Sequence, residues 1–218
     1  MQIGLTLAAL IVSIGALATS AVAYKAQRRR LWLDLARSLH HELTTGEVAE
    51  ARNPLGTLVY ADDSSTVKPE TARSAYFTVL WCFERIWAGR EAIIRDYRPS
   101  EPRIVRIFMS FLDRVAPKRS KALRDRQRQP LRFLDELITW HVETLGYVLP
   151  IAKDELEQRL GGTISDGSSV KGINKLMQTV LSTEKRDKLH ADLAAKGVTP
   201  LRTSAASDDA LLPRQTPS

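Results

Sequence analysis

The sequence predicts an all-α protein, with one N-terminal transmembrane helix followed by a cytoplasmic helical bundle. The chain begins with an uncharged, mostly apolar segment, and beyond it apolar residues recur every three or four positions, as they do on one face of a helix. No stretch sustains the alternation of apolar and polar residues that is typical of a strand, and no Asn-Gly hairpin turn occurs. These observations favour a bundle over a mixed fold.

The composition limits the number of domains and the kinds of site. After the apolar start and the polar end are set aside, the 218 residues leave room for one soluble domain. The formal net charge of +7 favours an anionic partner, such as phospholipid headgroups or nucleic acid. The single cysteine, Cys82, excludes an internal disulfide and any zinc site built from several cysteines.

Residues 1–24 are the predicted transmembrane helix, because they include no charged side chain. Residues 3–24 would extend about 33 Å as a helix, enough for a hydrocarbon core of about 30 Å. A cleaved signal peptide is the alternative, since residues 21–23 have the small-residue pattern of a cleavage site. Such leaders carry a basic start and a shorter apolar run, and this chain has neither.

Four cations follow the apolar segment, and we call them the first cation cluster: Lys25, Arg28, Arg29 and Arg30. Cationic flanks stay on the cytoplasmic side of a membrane. We therefore expect a single-pass protein of the inner (plasma) membrane, with its N-terminus outside and its C-terminal domain in the cytoplasm.

Small residues in the apolar segment offer a face for helix association. Ala9 and Ser13, then Ala16 and Ser20, repeat the small-xxx-small spacing that lets two membrane helices approach closely. Small residues are also common in a lone anchor, so weak self-association and a solitary helix both remain open.

The remaining chain divides into five predicted segments. Residues 25–43 are predicted to form a basic amphipathic helix, and residues 44–160 a helical bundle. Residues 161–169 form a Gly/Ser/Asp linker to a C-terminal helix at residues 170–196, which either packs on the bundle or stays separate from it. Residues 197–218 are predicted to be a disordered tail.

Within the bundle, caps and prolines predict the helix ends. Thr44 and Glu47 have the spacing of a capping box, and the next helix is expected to be disturbed at Asn53-Pro54. Pro69 begins the long core helix, and Ser100 caps a further helix that reaches Pro117. Another helix follows Pro130 and ends at Pro150 or Gly161-Gly162.

The long core helix carries an apolar stripe along one face, and Arg90 interrupts this stripe. Its members are Tyr76, Leu80, Phe83, Trp87, Ile94 and Tyr97.

Seven further cations form the second cation cluster: Lys118, Arg119, Lys121, Arg124, Arg126, Arg128 and Arg132. Asp125 is the one acidic residue among them. The cluster has no interleaved aromatic residues on which bases could stack, so specific nucleic-acid binding is disfavoured. A solvated loop and a contact with anionic lipid or an acidic partner remain the two alternatives.

No catalytic or metal-binding motif is found. His40 and His41 point about 100° apart on a helix and do not form a chelating pair. His141 lies on an apolar face and Cys82 in an apolar helix, so both are predicted to be buried structural residues. We expect no cofactor or metal site. An enzyme would need Glu84, Arg85, Arg90 and Glu91 to converge in one pocket.

The layout resembles a known family through two stretches, LTTGEVAEAR at residues 43–52 and FERI at residues 83–86. Together with the single span and the first cation cluster, they are similar to the bacterial domain of unknown function 4760 family over about the first 150 residues. The resemblance implies an uncharacterised helical membrane protein. From the sequence we expect an interaction or scaffold role with an unidentified protein partner.

Overall fold

The computed structural model describes residues 2–61, 66–97, 107, 110, 113–115, 117–167 and 169–201. The regular secondary structure in these ranges is entirely helical, which confirms the all-α prediction. The helices with defined bounds are α1 (Gln2–Thr44), α2 (Gly46–Tyr60), α3 (Pro69–Tyr97), α4 (Pro117–Leu160), α5 (Lys171–Val180) and α6 (Thr183–Ala195).

The chain forms two compact units. Unit 1 comprises Met1–Ser38 and Glu91–Leu134, and unit 2 comprises Leu39–Arg90 and Asp135–Ser218. The helices α1, α3 and α4 are continuous from one unit into the other. The predicted bundle at residues 44–160 therefore contributes to both units.

Helix α1 joins the predicted transmembrane segment and the predicted basic helix into one continuous helix. Among the described residues, no helix combines the length and the apolar character needed to cross a membrane. The assignment of residues 1–24 as a membrane span stays a prediction.

The corner between α1 and α2 differs from the predicted capping box. Thr44 is the last residue of α1, and its hydroxyl donates to the His40 carbonyl at 3.0 Å. Thr45 precedes α2 but makes no side-chain capping bond, because its hydroxyl donates to the His41 carbonyl at 2.7 Å. Gly46, with φ of 59°, supplies the left-handed turn between the helices. The two threonine hydroxyls thus donate hydrogen bonds to carbonyl groups at the end of α1, and Thr45 does not cap the amide groups at the start of α2.

Pro54 does not end α2, and the expected disturbance at Asn53-Pro54 is wrong. The helix continues to Tyr60 with Pro54 inside it. Its buried residues are Val48, Ala51, Leu55 and Leu58, which form one stripe on both sides of the proline. Burial of this stripe offsets the hydrogen bond that proline cannot donate.

Helix α3 begins at Pro69 as predicted, and Tyr76, Leu80 and Phe83 are fully buried. Further along, the buried positions are Ile86, Arg90 and Ile93, whereas Trp87 and Ile94 are only half-buried. Arg90 was expected to interrupt the apolar face, but it is buried and pairs with Asp135 of α4. The buried stripe thus includes Arg90 and passes through Ile86 and Ile93 rather than Trp87 and Ile94.

Helix α4 is longer than predicted. It begins at Pro117 and continues through Pro130 and Pro150 to Leu160, where Gly161 at φ 62° ends it. The stated alternative of an end at Gly161-Gly162 is therefore confirmed. On the apolar face that the sequence predicts beyond Pro130, Leu131 is only half-buried. The other residues of that face are buried: Leu134, Ile138, Val142, Leu145 and Leu149. Ser100 and most of the helix that it was expected to cap lie outside the described residues.

The C-terminal part contains two helices where one was predicted, because Ser182 starts a new helix by accepting a hydrogen bond from the Lys185 amide. Helix α5 docks on α3 at Gly172. A Cβ at that glycine would lie 2.7 Å from the Glu84 Cα, so only glycine permits this approach. Residues 202–218, most of the predicted disordered tail, lie outside the described residues.

Candidate interaction surface

A groove on unit 2 lies where α1 ends, α2 begins and α3 passes beside them. Its volume is about 370 Å³. The lining residues are Glu42, Thr45, Gly46, Glu47, Val48, Thr78, Trp81 and Arg85. The turn at Gly46 creates one wall, and the outward face of α3 supplies the other.

Trp81 is the large apolar side chain of this groove, and it is 52% exposed. Its ring lies 5.9 Å from the Phe77 ring, and Phe77 stands edge-on to Tyr76 at 5.6 Å. Tyr76 itself is fully buried. The exposed indole is thus connected through Phe77 to the core, which limits the conformational freedom that it would lose on binding.

An ion pair crosses the groove between Arg85 of α3 and Glu42 of α1. The Arg85 side chain is 55% exposed, so its guanidinium can also reach a bound molecule. Glu47 adds a second carboxylate at the start of α2. The groove therefore combines one apolar surface with charges of both signs.

The two arginines required for a shared catalytic pocket pair with different carboxylates. Arg85 pairs with Glu42, whereas Arg90 makes two hydrogen bonds to Asp135 at 2.8 and 3.0 Å. The backbone at Glu84 packs against Gly172 instead.

His141 is a buried histidine, as predicted, and its polar neighbour is Arg52 of α2. Its Nδ1 lies 3.0 Å from Arg52 Nη2, and its ring lies 5.6 Å from that of His40. Burial, then the positive charge of Arg52 and the neighbouring His40, lower the pKa of His141 to about 4. The imidazole is therefore neutral at physiological pH and can accept a hydrogen bond from Arg52.

Cys82 is fully buried, in agreement with the prediction. Burial, with a contribution from the Glu42 carboxylate, raises the pKa of the thiol to about 12. A thiol of this kind is a poor nucleophile at neutral pH. Within the described residues, no three His, Cys, Asp or Glu side chains are grouped in a way that could hold a metal ion.

Asp166 is a polar anchor that sequence reasoning missed. It belongs to the predicted linker, yet it is only 7% exposed. Tyr76 donates a hydrogen bond to its Oδ2 at 2.6 Å, and Lys153 pairs with its Oδ1 at 2.8 Å. Burial and the hydrogen bond to Asp166 raise the pKa of Tyr76 well above its usual value. These contacts fix the segment between α4 and α5 on the bundle.

The two cation clusters both lie on helices of unit 1. The first is on α1, and the second begins α4, so the reading of residues 118–132 as a loop is wrong. Among the members whose side chains the structure describes, five are exposed: Arg30, Lys118, Lys121, Arg128 and Arg132. Arg28 also lies over the Tyr24 ring, 5.6 Å from its centroid.

Comparisons with models of protein families, with curated proteins and with solved structures yield no match. The resemblance to the domain of unknown function 4760 family stays a prediction.

Proposed function

We propose that this chain is a membrane-tethered interaction module, in which α1 holds the protein at the inner leaflet and the Trp81 groove binds a protein partner. The observation that carries the binding role is the half-exposed Trp81 beside Arg85. Tryptophan and arginine are enriched among the residues that dominate binding energy at protein interfaces. The groove suits an amphipathic peptide segment that places an apolar side chain on Trp81 and a charged group near Arg85.

Support for the tether comes from the order of residues along α1. Residues 1–24 are uncharged, and the first cation cluster follows at once. This order favours a single pass with the N-terminus outside and the C-terminal domain in the cytoplasm. Weak self-association through the small-residue face of α1 belongs to the same proposal.

Two other functions have less support. A tethered enzyme would need a polar pocket, but Arg85 and Arg90 engage separate carboxylates. Proteins that bind single-stranded nucleic acid place aromatic residues among the cations, and the second cation cluster has none.

The binding role can be tested by placing a photo-crosslinking amino acid at Trp81 in the full chain, with Trp140 as the matched control. Trp140 is 63% exposed and also lies on unit 2. We expect a discrete adduct from position 81 that disappears in Arg85→Glu, and no such adduct from position 140. The same adducts at both positions, or none at 81, would contradict the binding role.

The tether is tested separately by alkaline extraction of membranes and by a C-terminal reporter that is active only in the cytoplasm. Retention in the membrane with an active reporter is the expected result. A soluble or exported product would overturn the tether and leave the groove experiment unaffected.

A further inference from the structure

The directions of three helices can be read from contacts inside unit 2. Leu39 of α1 packs against Gly89 of α3, and Glu42 pairs with Arg85. As the residue number rises along α1, it therefore falls along α3, and these helices are antiparallel.

Helices α3 and α4 are antiparallel as well. Arg90 pairs with Asp135, while at the other end Arg159 donates to the carbonyl of Val67, just before α3 begins. Because α1 and α4 both run opposite to α3, they run in the same direction as each other.

This direction places the two cation clusters side by side in unit 1. There the Arg37 guanidinium lies 5.9 Å from the Phe133 ring centroid, and in unit 2 the His40 and His141 rings lie 5.6 Å apart. The two contacts pair positions that are 96 and 101 residues apart in the chain, so they align α1 with α4 to within about five residues. Both are continuous helices with the same rise per residue. Counting back equally from the two contacts, Arg30 is level with residues 126–131, and Lys25 is level with residues 121–126. At a crossing angle of about 20°, the axes would separate by only about 6 Å over the twelve residues from Arg37 back to Lys25.

We propose that the two clusters form one basic surface that binds the anionic headgroups of a lipid bilayer. By the same count, the start of α4 at Pro117 is level with residues 16–21, in the last third of the uncharged segment of α1. The two clusters, separated by about ninety residues in sequence, thus overlap at the end of that segment. Cations at this level lie within a Debye length of a membrane that holds the uncharged segment.

The charge of the surface supports lipid as the occupant. Asp125 is the single acid among the second cluster, and the nearby acid of α1, Asp34, is paired with Arg37. A bilayer presents many weakly specific anions over a broad area, which matches cations distributed along two helices. This inference rests on the proposed tether, and the experiments below separate the failure of one from the failure of the other.

The alignment is tested with nitroxide labels at Ala26→Cys and Ala122→Cys in the full chain. Both alanines are exposed, and both lie eleven residues before the Arg37–Phe133 contact. We expect an interlabel distance below about 25 Å, since packed helix axes are 8–10 Å apart. An antiparallel pair would separate the positions by roughly 33 Å along the axis. A measured distance above 30 Å would overturn the shared surface.

Lipid contact is tested with the single label at position 122 in nanodiscs that contain a trace of nickel-chelating lipid. We expect faster nitroxide relaxation in phosphatidylglycerol discs than in phosphatidylcholine discs. The difference should vanish at high salt and in the triple variant Lys118→Glu, Lys121→Glu, Arg128→Glu. The matched control, Lys171→Glu, Lys175→Glu, Lys188→Glu, changes the same charge at exposed positions of unit 2 and should preserve the difference.

Three results decide between the possibilities. Equal relaxation in the two lipids would overturn the lipid surface even if the chain stays in the discs. Tighter binding to duplex DNA than to phosphatidylglycerol vesicles, lost in the same triple variant, would assign the surface to nucleic acid and overturn it as well. If the chain leaves both discs, the tether fails. Sedimentation of the free chain with phosphatidylglycerol vesicles then tests the basic surface by itself. Binding that is lost in the triple variant would support the surface, and an absence of binding would overturn it.

Discussion

The Tyr76 hydroxyl donates a 2.6 Å hydrogen bond to Asp166, and the two residues are ninety positions apart in the chain. Both side chains are buried, and Lys153 pairs with the other carboxylate oxygen of Asp166. The bond connects the middle of α3 to the segment between α4 and α5. It therefore fixes where α5 can dock.

Removing that hydroxyl should loosen the docked segment. Tyr76→Phe leaves one oxygen of a buried carboxylate without its donor, and we expect a loss of about 1–3 kcal/mol in the free energy of unfolding. Denaturant unfolding measures the total, and amide exchange at residues 161–170 should accelerate. Tyr60→Phe, which changes a tyrosine that is 63% exposed, is the control and should have little effect. Equal effects of the two variants would contradict the anchoring role.

The contact of α5 with α3 should not tolerate a methyl group. A Cβ at Gly172 would lie 2.7 Å from backbone atoms of Glu84, so Gly172→Ala must displace α5 and should cost about 1–3 kcal/mol. Gly56→Ala is the matched helical control, because nothing lies within 4 Å of its added Cβ. That variant should be neutral or stabilising by up to about 1 kcal/mol. Thermal unfolding compares them, and a neutral Gly172→Ala would refute the close packing.

The pairing of Arg90 and Asp135 should contribute more than a surface ion pair. Arg90 is 6% exposed, so Asp135→Ala leaves a buried guanidinium without its acceptor, and we expect a loss of about 3 kcal/mol. Asp34→Ala breaks the exposed Arg37 pair and should cost less than about 1 kcal/mol. Denaturant midpoints measure both. Similar costs would mean that the Arg90 pair is solvated.

His141 should make the fold less stable in mild acid. Its pKa is lowered to about 4 in the folded chain, against about 6.5 when unfolded. Between these values the unfolded chain binds a proton that the folded chain does not, so stability falls as pH decreases from about 6.5 to 4. His141→Gln should reduce this dependence, whereas the exposed His190→Gln should not. Unfolding curves at several pH values test this, and an unchanged pH slope in His141→Gln would contradict it.

The apolar stripes were predictable, because burial leaves a periodic trace in the sequence. Leu134, Ile138 and Val142 follow the spacing of one helical face and are buried as expected. The prolines misled the assignment of helix ends, since Pro54 and Pro130 lie inside helices that tertiary packing maintains. Local rules describe the cost of an interior proline but not the burial that offsets it.

The polar contacts and the groove were not predictable in the same way. A single aspartate such as Asp166 within a Gly/Ser-rich stretch has no periodicity, and its partner Tyr76 lies far away in sequence. Trp81 did carry a signal, because it follows Leu80 and so lies off the buried stripe of α3. The groove beside it depends on the turn at Gly46, which the stripe of α3 does not encode.

The lone thiol has a practical consequence. Cys82 is the only cysteine of the chain and is fully buried in α3. Two folded copies therefore cannot form a disulfide with each other, because neither sulfur can reach the other. A covalent dimer on a non-reducing gel would signify that the helices had opened, so oxidation of this residue is an intrinsic reporter of unfolding.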